Sequence, residues 1–166
     1  MESKVIKVKK KVLYSALLMI ILTISPSFAW AWSGKVVSIE DGDTITVLRD
    51  KEQVIIRLYG IDCPEDGQPF GKEAKQFTSK MVFGKVVEVE PVDMDRYGRT
   101  EALVTIFQRL VNEELVNAGF AWVHTRYCDR PVCERWKVLE PEARDDKQGL
   151  WAEPYSTPPW DYRMTE

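Results

Sequence analysis

The sequence predicts an α+β fold in which five short strands form a small antiparallel barrel and helices pack against it. Apolar, largely β-branched residues recur in five separate runs, and turn-forming residues such as glycine and aspartate lie between them. Helical periodicity follows the third and the fifth of these runs. At 166 residues the chain is long enough for one domain with a hydrophobic core, and too short for two of ordinary size.

The five predicted strands fall into two groups. Tight polar turns join the first three, so we expect an antiparallel meander. The Asp-Gly pair in the first of these turns, at residues 41–43, is a strong hairpin signal. A second glycine turn, at Tyr97 and Gly98, joins the last two strands. In chain order the strands are expected at residues 35–39, 44–48, 54–59, 86–90 and 102–107.

Two shorter helices are expected to pack on the barrel. The first spans residues 72–83, where Phe77 and Met81 recur at helical spacing and are core residues. The second begins at Asn112, a residue type that commonly caps helix N-termini, and stops at Gly119.

A longer third helix is predicted over residues 133–147. We expect Pro141 to kink or split it, because proline cannot donate the hydrogen bond to the carbonyl of Lys137. Residues 154–166 form a tail rich in proline and aromatic residues. This tail is predicted to be extended and docked by its aromatic side chains, or else disordered.

The first 31 residues have the three-part layout of a secretory signal peptide. Five lysines precede an uncharged apolar run at residues 12–24, and Pro26 and several small residues follow it. We expect cleavage after Ala29 or Ala31 and export to the periplasm or the medium. Because a membrane span needs roughly 20 apolar residues, a retained anchor is the weaker interpretation, and no stable span is expected after cleavage.

The exported part of the chain is acidic. Without the signal segment, which holds five of the 23 basic and one of the 26 acidic side chains, the formal charge becomes -7. Proteins that coat nucleic acid through a broad electrostatic surface are normally basic. Any recognition of phosphate must therefore come from a few focused arginines and a bound cation.

Three cysteines follow the signal segment. In an exported chain the close pair Cys128 and Cys133 is expected to form a disulfide. The alternative is a metal site that uses His124 together with these two cysteines, and it lacks a fourth soft ligand unless Cys63 folds beside them. Otherwise Cys63 is expected to be a buried thiol rather than a nucleophile.

Carboxylates and arginines in three loop regions suggest metal-assisted chemistry on phosphate. If Asp43 and Asp62 come together, they form a hard-oxygen site suited to Ca²⁺ or Mg²⁺. Glu65 lies one turn beyond Asp62 and would activate a water for attack on phosphorus. Arg57 and Arg99 would each present a planar pair of donors to phosphate oxygens.

The same residues also have structural interpretations. The acids favour turns for backbone reasons, and an arginine on a strand often forms a surface ion pair of little energetic value. His124, the only histidine, is expected to be structural rather than a general base. Tyr97 and Tyr127 would either pack on the barrel or stack against a base or sugar.

The ordered combination of motifs resembles one family. From residue 34 to residue 151 the chain is similar to the staphylococcal nuclease (thermonuclease) family of Ca²⁺-dependent phosphodiesterases. The matching features are an Asp-Gly-Asp-Thr turn, a strand-borne arginine followed by Ile-Asp-x-Pro-Glu, and a Tyr-Gly-Arg turn. The resemblance implies an OB-fold, a five-stranded Greek-key barrel with three helices, which we assign to residues 32–153.

The resemblance also implies roles for individual residues. Three positions would supply oxygen ligands to Ca²⁺: Asp43, Asp62 and the main-chain carbonyl of Cys63. Three would carry the catalysis, as two phosphate-binding arginines and a general base: Arg57, Arg99 and Glu65. Two would contact the nucleotide: Tyr97 and Tyr127. Thr125 stands where the best-known member has a further tyrosine, which predicts weaker stacking.

The function implied is that of an exported, monomeric, Ca²⁺-dependent nuclease without sugar specificity. It would hydrolyse DNA and RNA, preferably single-stranded or otherwise accessible, and leave 3′-phosphates. The main alternative is a catalytically inactive OB-fold module that binds nucleic acid or protein, since this barrel also serves as a binding scaffold. A structural protein of the envelope, in which acids and arginines neutralise each other, is a third. The complete set of acids and arginines favours the enzyme.

Overall fold

The computed structural model describes residues 30–165. The predicted signal peptide falls almost entirely on residues 1–29, outside this range. The strands in the described part are β1 (Trp32–Ile39), β2 (Thr44–Arg49), β3 (Glu52–Leu58), β4 (Ile61–Asp62), β5 (Val86–Met94), β6 (Thr100–Ile106), β7 (Arg109–Leu110) and β8 (Trp122–Val123). The helices are α1 (Gly71–Val82), α2 (Val111–Asn117), α3 (Val132–Asp145) and α4 (Pro159–Tyr162), with a 3-10 turn at Gly149–Ala152. None of the helices described is both long and apolar enough to cross a membrane.

Five strands close into a barrel. Their order is β3-β2-β1-β5-β6, and each neighbouring pair in that order is antiparallel. A parallel pairing between β3 and β6 closes the barrel and sets Arg57 opposite Glu101. The short strands β4 and β8 pair with each other, and β7 extends the sheet beside β6. The predicted α+β barrel with packed helices is confirmed.

The core of the barrel consists of side chains that alternate along its strands. Period-two alternation places every second residue inside, where aliphatic side chains are removed from water. The apolar side chains from the strands that have no exposed surface are Val36, Ile45, Val47, Ile56, Val89, Ala102 and Val104. Helix α1 adds Ala74 and Val82, and α2 adds Leu115 and Val116. Each large aliphatic side chain buried in this way contributes roughly 1.5–3 kcal/mol to folding.

Asn112 does not cap α2, so that prediction was wrong. The helix begins at Val111, and the side chain of Asn112 is fully buried. Its Oδ1 accepts a hydrogen bond from the backbone N–H of Val104 (3.1 Å), and its Nδ2 donates to the carbonyl oxygen of Tyr59 (3.0 Å). The amide therefore satisfies backbone groups near two strands rather than the N–H groups of its own helix.

Helix α3 is continuous through Pro141, so of the two predicted outcomes, a kink or a split, the split does not occur. The helix spans Val132–Asp145 and ends two residues before the predicted boundary. Lys137, whose carbonyl loses its helical donor to the proline, is exposed to solvent. Water can satisfy that carbonyl, which lets the helix continue.

The C-terminal tail is docked on the domain, one of the two predicted states. The ring of Trp160 lies against Trp122, with centroids 5.8 Å apart, and against His124, with centroids 4.8 Å apart. Pro159 is buried as well. The tail is not extended throughout, because it contains the short helix α4.

The structure joins Cys128 and Cys133 in a disulfide whose Cα atoms are 5.7 Å apart. Neither sulfur is then available as a thiolate, so the alternative zinc site with His124 is not formed. Cys63 is the free cysteine among the described residues, and it is buried.

Candidate active site

A tight turn between β1 and β2 brings Asp43 to the barrel. The Oδ1 atom of Asp41 accepts hydrogen bonds from the backbone N–H groups of Asp43 (2.9 Å) and Thr44 (2.6 Å). The turn packs so closely that a Cβ at Gly42 would lie 2.6 Å from the Cβ of Cys63. The turn therefore holds the carboxylate of Asp43 in a fully buried position.

The guanidinium of Arg57 lies between two buried carboxylates. Its Nη1 donates to Oδ1 of Asp43, and its Nη2 donates to Oδ1 of Asp62. Neither Asp43 nor Asp62 has any exposed surface. Since a buried charge without a partner is costly, each member of this cluster depends on the others for neutralisation. The structure thus brings together the two acids that the sequence predicted as metal ligands.

The electrostatics of this cluster favour an added cation. Burial raises the pKa of Asp43 well above its usual range, and the positive charge of Arg57 opposes that shift. For Arg57, burial alone would lower the pKa, but the charges of Asp43 and Asp62 outweigh it and raise the pKa. Arg57 is the arginine that contacts both carboxylates, and a divalent cation beside them would add positive charge where two acids lie close together.

The donors present fit a hard divalent cation. Asp43 and Asp62 are carboxylates, which Ca²⁺ and Mg²⁺ prefer over soft ligands. The backbone N–H of Cys63 donates to Oδ2 of Asp43 (2.6 Å), which fixes the main chain of Cys63 beside the acids. Within residues 30–165 no three His, Cys, Asp or Glu side chains form a ready metal cluster. Main-chain, water or phosphate oxygens would have to complete the coordination shell.

Glu65 follows the acidic corner and belongs to a loop that Gln68 stabilises. The backbone N–H of Glu65 donates to Oε1 of Gln68 (3.0 Å), and the backbone N–H of Gln68 donates to the carbonyl oxygen of Glu65 (3.0 Å). The carboxylate of Glu65 accepts a hydrogen bond from Arg163, which also contacts Asp62. Arg163 is a residue of the site that the sequence analysis missed.

Arg99 is oriented by a turn between β5 and β6. Asp95 accepts the backbone N–H groups of Tyr97 and Arg99 on Oδ1, each at 2.9 Å, and the Nε of Arg99 on Oδ2 at 2.6 Å. Gly98 adopts a φ of 80°, which the turn requires and other residues rarely adopt. Asp95 was also missed, although an aspartate that opens a glycine turn is a signal for this arrangement.

Arg57, Asp62 and Arg99 line one cleft of about 800 Å³. Tyr97 and Tyr127 also line this cleft, and they are 70% and 57% exposed, respectively. The structure therefore places both tyrosines in the cleft and not in the core. Exposed rings beside a cluster of arginines are available to stack on nucleobases.

His124 and Cys63 differ in their surroundings. Burial lowers the pKa of His124, an effect that Asp62 partly opposes, and its ring packs against Tyr127 and Trp160 at the edge of the cleft. Burial raises the pKa of the Cys63 thiol, and the nearby charge of Asp43 raises it further. A protonated thiol that is 2% exposed is a poor nucleophile.

Sequence comparison identifies the family. The family described as "Staphylococcal nuclease homologue" matches residues 55–153, more than half of the chain. The chain belongs to this family. The matched segment contains Arg57, Asp62 and Arg99. Asp43 precedes it, so the place of Asp43 in the site rests on its contacts with Arg57 and Cys63.

Similar proteins cover most of the chain. It is 42% identical to "Protein ParB" of Escherichia coli over 159 residues, which span 90% of this chain and 88% of that protein. It is 38% identical to "Micrococcal nuclease" of Shigella flexneri over 145 residues, 81% of this chain and 83% of that one. An "Uncharacterized endonuclease" of Escherichia coli O157:H7 is 41% identical over 131 residues, with 78% and 84% coverage. The protein is thus a nuclease-type hydrolase of this family.

Proposed function

We propose that the protein is an exported, Ca²⁺-dependent nuclease that hydrolyses phosphodiester bonds in both DNA and RNA. The observation that carries this proposal is the buried cluster in which Arg57 joins Asp43 and Asp62. This cluster opens onto the cleft that Arg99 lines. A negatively charged pair of acids flanked by phosphate-binding arginines is what metal-assisted cleavage of a phosphodiester requires.

Asp43, Asp62 and the main-chain carbonyl of Cys63 would hold the cation. Ca²⁺ bound there would polarise a phosphate oxygen and offset the repulsion between the acids and the phosphodiester. Arg57 donates hydrogen bonds to both carboxylates in this structure. If a bound cation neutralised the carboxylates instead, those donors would become available to phosphate oxygens.

Glu65 would act as the general base. It would accept a proton from a water while the water oxygen forms a bond to phosphorus and the bond from phosphorus to the 5′ oxygen breaks. The leaving 5′ oxygen would take up a proton from solvent water and depart as a 5′-hydroxyl, so the phosphate stays on the 3′ oxygen. Arg57 and Arg99 would bind the phosphate oxygens as negative charge builds up on them.

Substrate selection would depend on shape and stacking. Tyr97 and Tyr127 expose rings that can stack on any base, so little sequence or sugar preference is expected. Unpaired bases stack more readily than paired ones, which favours single-stranded or otherwise accessible substrates. The acidic exported part would attract nucleic acid weakly, which makes capture depend on the cation and the local arginines. We expect a monomer.

A digestion assay tests this proposal. Purified protein is incubated with labelled DNA and RNA, with Ca²⁺ or with a chelator, alongside Glu65→Gln and Arg99→Ala variants. We expect chelation to abolish cleavage, excess Ca²⁺ to restore it, and each substitution to lower kcat/KM by about a hundredfold or more. Glu73→Gln, which changes an exposed glutamate on α1, is the matched control. Hydrolysis that ignores chelation, or that survives both substitutions, contradicts the mechanism.

Two further readouts address the products and the export. Phosphatase treatment should change the mobility of the cleaved fragments and expose free 3′-hydroxyls, whereas 5′-phosphates would contradict the proposed bond cleavage. N-terminal sequencing of the protein from the periplasm or the medium should begin at Trp30 or Trp32. A protein found only in the cytoplasm, with an intact N-terminus, would overturn the proposed export.

A further inference from the structure

A tail residue beyond the family-matched segment reaches the acidic centre of the site. The Nη2 atom of Arg163 donates to Oδ2 of Asp62 (2.8 Å), and its Nη1 lies 3.3 Å from Oδ1 of the same carboxylate. Nη1 also donates to Oε1 of Glu65. One guanidinium therefore spans the acid predicted to bind metal and the acid predicted to activate water.

Two contacts hold the segment that carries Arg163 against the rest of the domain. The Nε2 of Gln68 donates to the carbonyl oxygen of Thr157 (2.7 Å), while the Oε1 of the same side chain accepts the backbone N–H of Glu65 (3.0 Å). Trp160 packs against Trp122 through its ring. The tail is thereby tied to the loop that bears the general base, so the contact made by Arg163 is part of a docked element.

Arg163 and a divalent cation at the proposed site both require the carboxylate of Asp62. Asp62 is fully buried, so it needs a positive partner, and Arg57 already shares its charge with Asp43. Arg163 supplies the second positive partner of Asp62. A cation on Asp62 would lie close to this guanidinium and repel it, because two positive charges a few ångströms apart in a partly buried site interact unfavourably.

We propose that Arg163 is a further functional residue of the active site, a built-in counter-ion that neutralises Asp62 and Glu65 and competes with the divalent cation for Asp62. This inference rests on the proposed metal site. It has two consequences for the reaction. Binding of the cation displaces Arg163, and the displacement frees the oxygen of Glu65 that must accept the proton from water.

Calorimetric titration with CaCl₂, without nucleic acid, tests the competition directly. The purified full-length chain is compared with Arg163→Gln, Arg163→Lys and Arg109→Gln. Arg109 is an exposed arginine that pairs with Glu114, so its removal changes the net charge equally without touching the site. Arg163→Gln should bind Ca²⁺ about three- to tenfold more tightly, and Arg109→Gln should match the wild type. Arg163→Lys should fall between the two, because an ammonium retains the charge and loses the paired donors.

Two additional measurements test whether Arg163 and Ca²⁺ compete. The difference between wild type and Arg163→Gln should shrink as ionic strength rises, as expected for competition between charges. Trp160→Ala, which keeps Arg163 in the sequence but removes the ring that docks its tail, should also tighten Ca²⁺ binding because the guanidinium is no longer held at Asp62. This second variant keeps the test decisive if Arg163→Gln folds poorly.

The outcomes separate this inference from the proposed function. If the wild type binds Ca²⁺ and neither Arg163→Gln nor Trp160→Ala binds it more tightly, Arg163 is not a competitor and the inference is overturned. If the wild type does not bind Ca²⁺, or Asp62→Asn binds it equally well, the proposed metal site fails and the inference fails with it.

Discussion

The carboxylate of Asp95 accepts a 2.6 Å hydrogen bond from the Nε atom of Arg99. Burial alone would raise the pKa of Asp95, but hydrogen bonds from Arg99 and from the backbone of Tyr97 outweigh it and lower the pKa below its usual value. Asp95 is therefore ionised at neutral pH and holds the guanidinium in a charge-assisted pair. The turn and the orientation of Arg99 depend on the same side chain.

Asp95→Asn should reduce activity without unfolding the turn. The asparagine keeps an oxygen that can accept the two backbone N–H groups, and it loses the acceptor for the Nε of Arg99. We expect kcat/KM to fall about tenfold, less than in Arg99→Ala, because the arginine is misplaced but still present. Asp50→Asn, which removes an equal charge from an exposed turn residue outside the cleft, should have little effect. Wild-type activity in Asp95→Asn would show that Asp95 does not position Arg99.

Asn112→Ala should be strongly destabilising. The substitution leaves the backbone N–H of Val104 and the carbonyl oxygens of Tyr59 and Ala102 without the partner that the amide provides. Leaving such buried groups unpaired should lower the free energy of unfolding by about 2–4 kcal/mol, measured by urea denaturation. Asn117→Ala, at an exposed position of α2, should change it by less than about 0.5 kcal/mol. Similar losses in the two variants would contradict a bridging role for Asn112.

Local patterns in the sequence predicted the barrel and its first helix well. Strand β2 was expected at residues 44–48 and spans Thr44–Arg49, and α1 was expected at 72–83 and spans Gly71–Val82. Strand β5 is longer than its predicted 86–90, because its pairing with β6 extends to Met94. The pairing of Met94 with Thr100 across the intervening turn determines where that strand ends, and the alternation of residues within β5 does not reveal this pairing.

The site was predictable only in part, for a similar reason. The Asp-Gly-Asp-Thr turn and the Ile-Asp-x-Pro-Glu motif predicted Asp43 and Asp62 as ligands of one cation through the family resemblance, and the structure joins the two acids through Arg57. The role of Arg163 arises from a contact across 101 residues, and its tail has no local pattern that points to a carboxylate. The prediction for Asn112 was wrong because asparagine, although a favoured N-cap residue type, here bonds the backbone of Val104 and Tyr59.

Thiol titration should distinguish the three cysteines. Cys63 is 2% exposed, so the native, unreduced protein should show no rapidly reacting thiol. After denaturation without reductant one thiol should react, because Cys128 and Cys133 are joined. After reduction the count should rise to three. Three reactive thiols without reductant would contradict the disulfide, and a fast-reacting thiol in the native protein would contradict the burial of Cys63.

Removal of the disulfide should lower stability and leave the chemistry intact. The bond between Cys128 and Cys133 closes a short loop, with a sequence separation of 5. A loop of this size restricts the unfolded chain enough to stabilise the fold by about 2 kcal/mol. The Cys128→Ser, Cys133→Ser double variant should unfold at lower urea concentration and keep kcat under native conditions. Reductant should destabilise the wild type and have no effect on the double variant, and an equal response of both proteins would count against this role.

Substitution of the cleft tyrosines should weaken substrate binding more than the chemical step. Tyr97 and Tyr127 expose their rings in the cleft, where each can stack on a base. Tyr97→Ala and Tyr127→Ala should each raise KM about fivefold for single-stranded DNA with kcat nearly unchanged, because stacking contributes equally before and during the reaction. The corresponding phenylalanine variants should retain low KM values, since the ring and not the hydroxyl makes the contact. Tyr155→Ala, which removes a tyrosine that is 93% exposed and does not line the cleft, is the control. A large fall in kcat in either cleft variant, with KM unchanged, would instead place that tyrosine at the reacting phosphate.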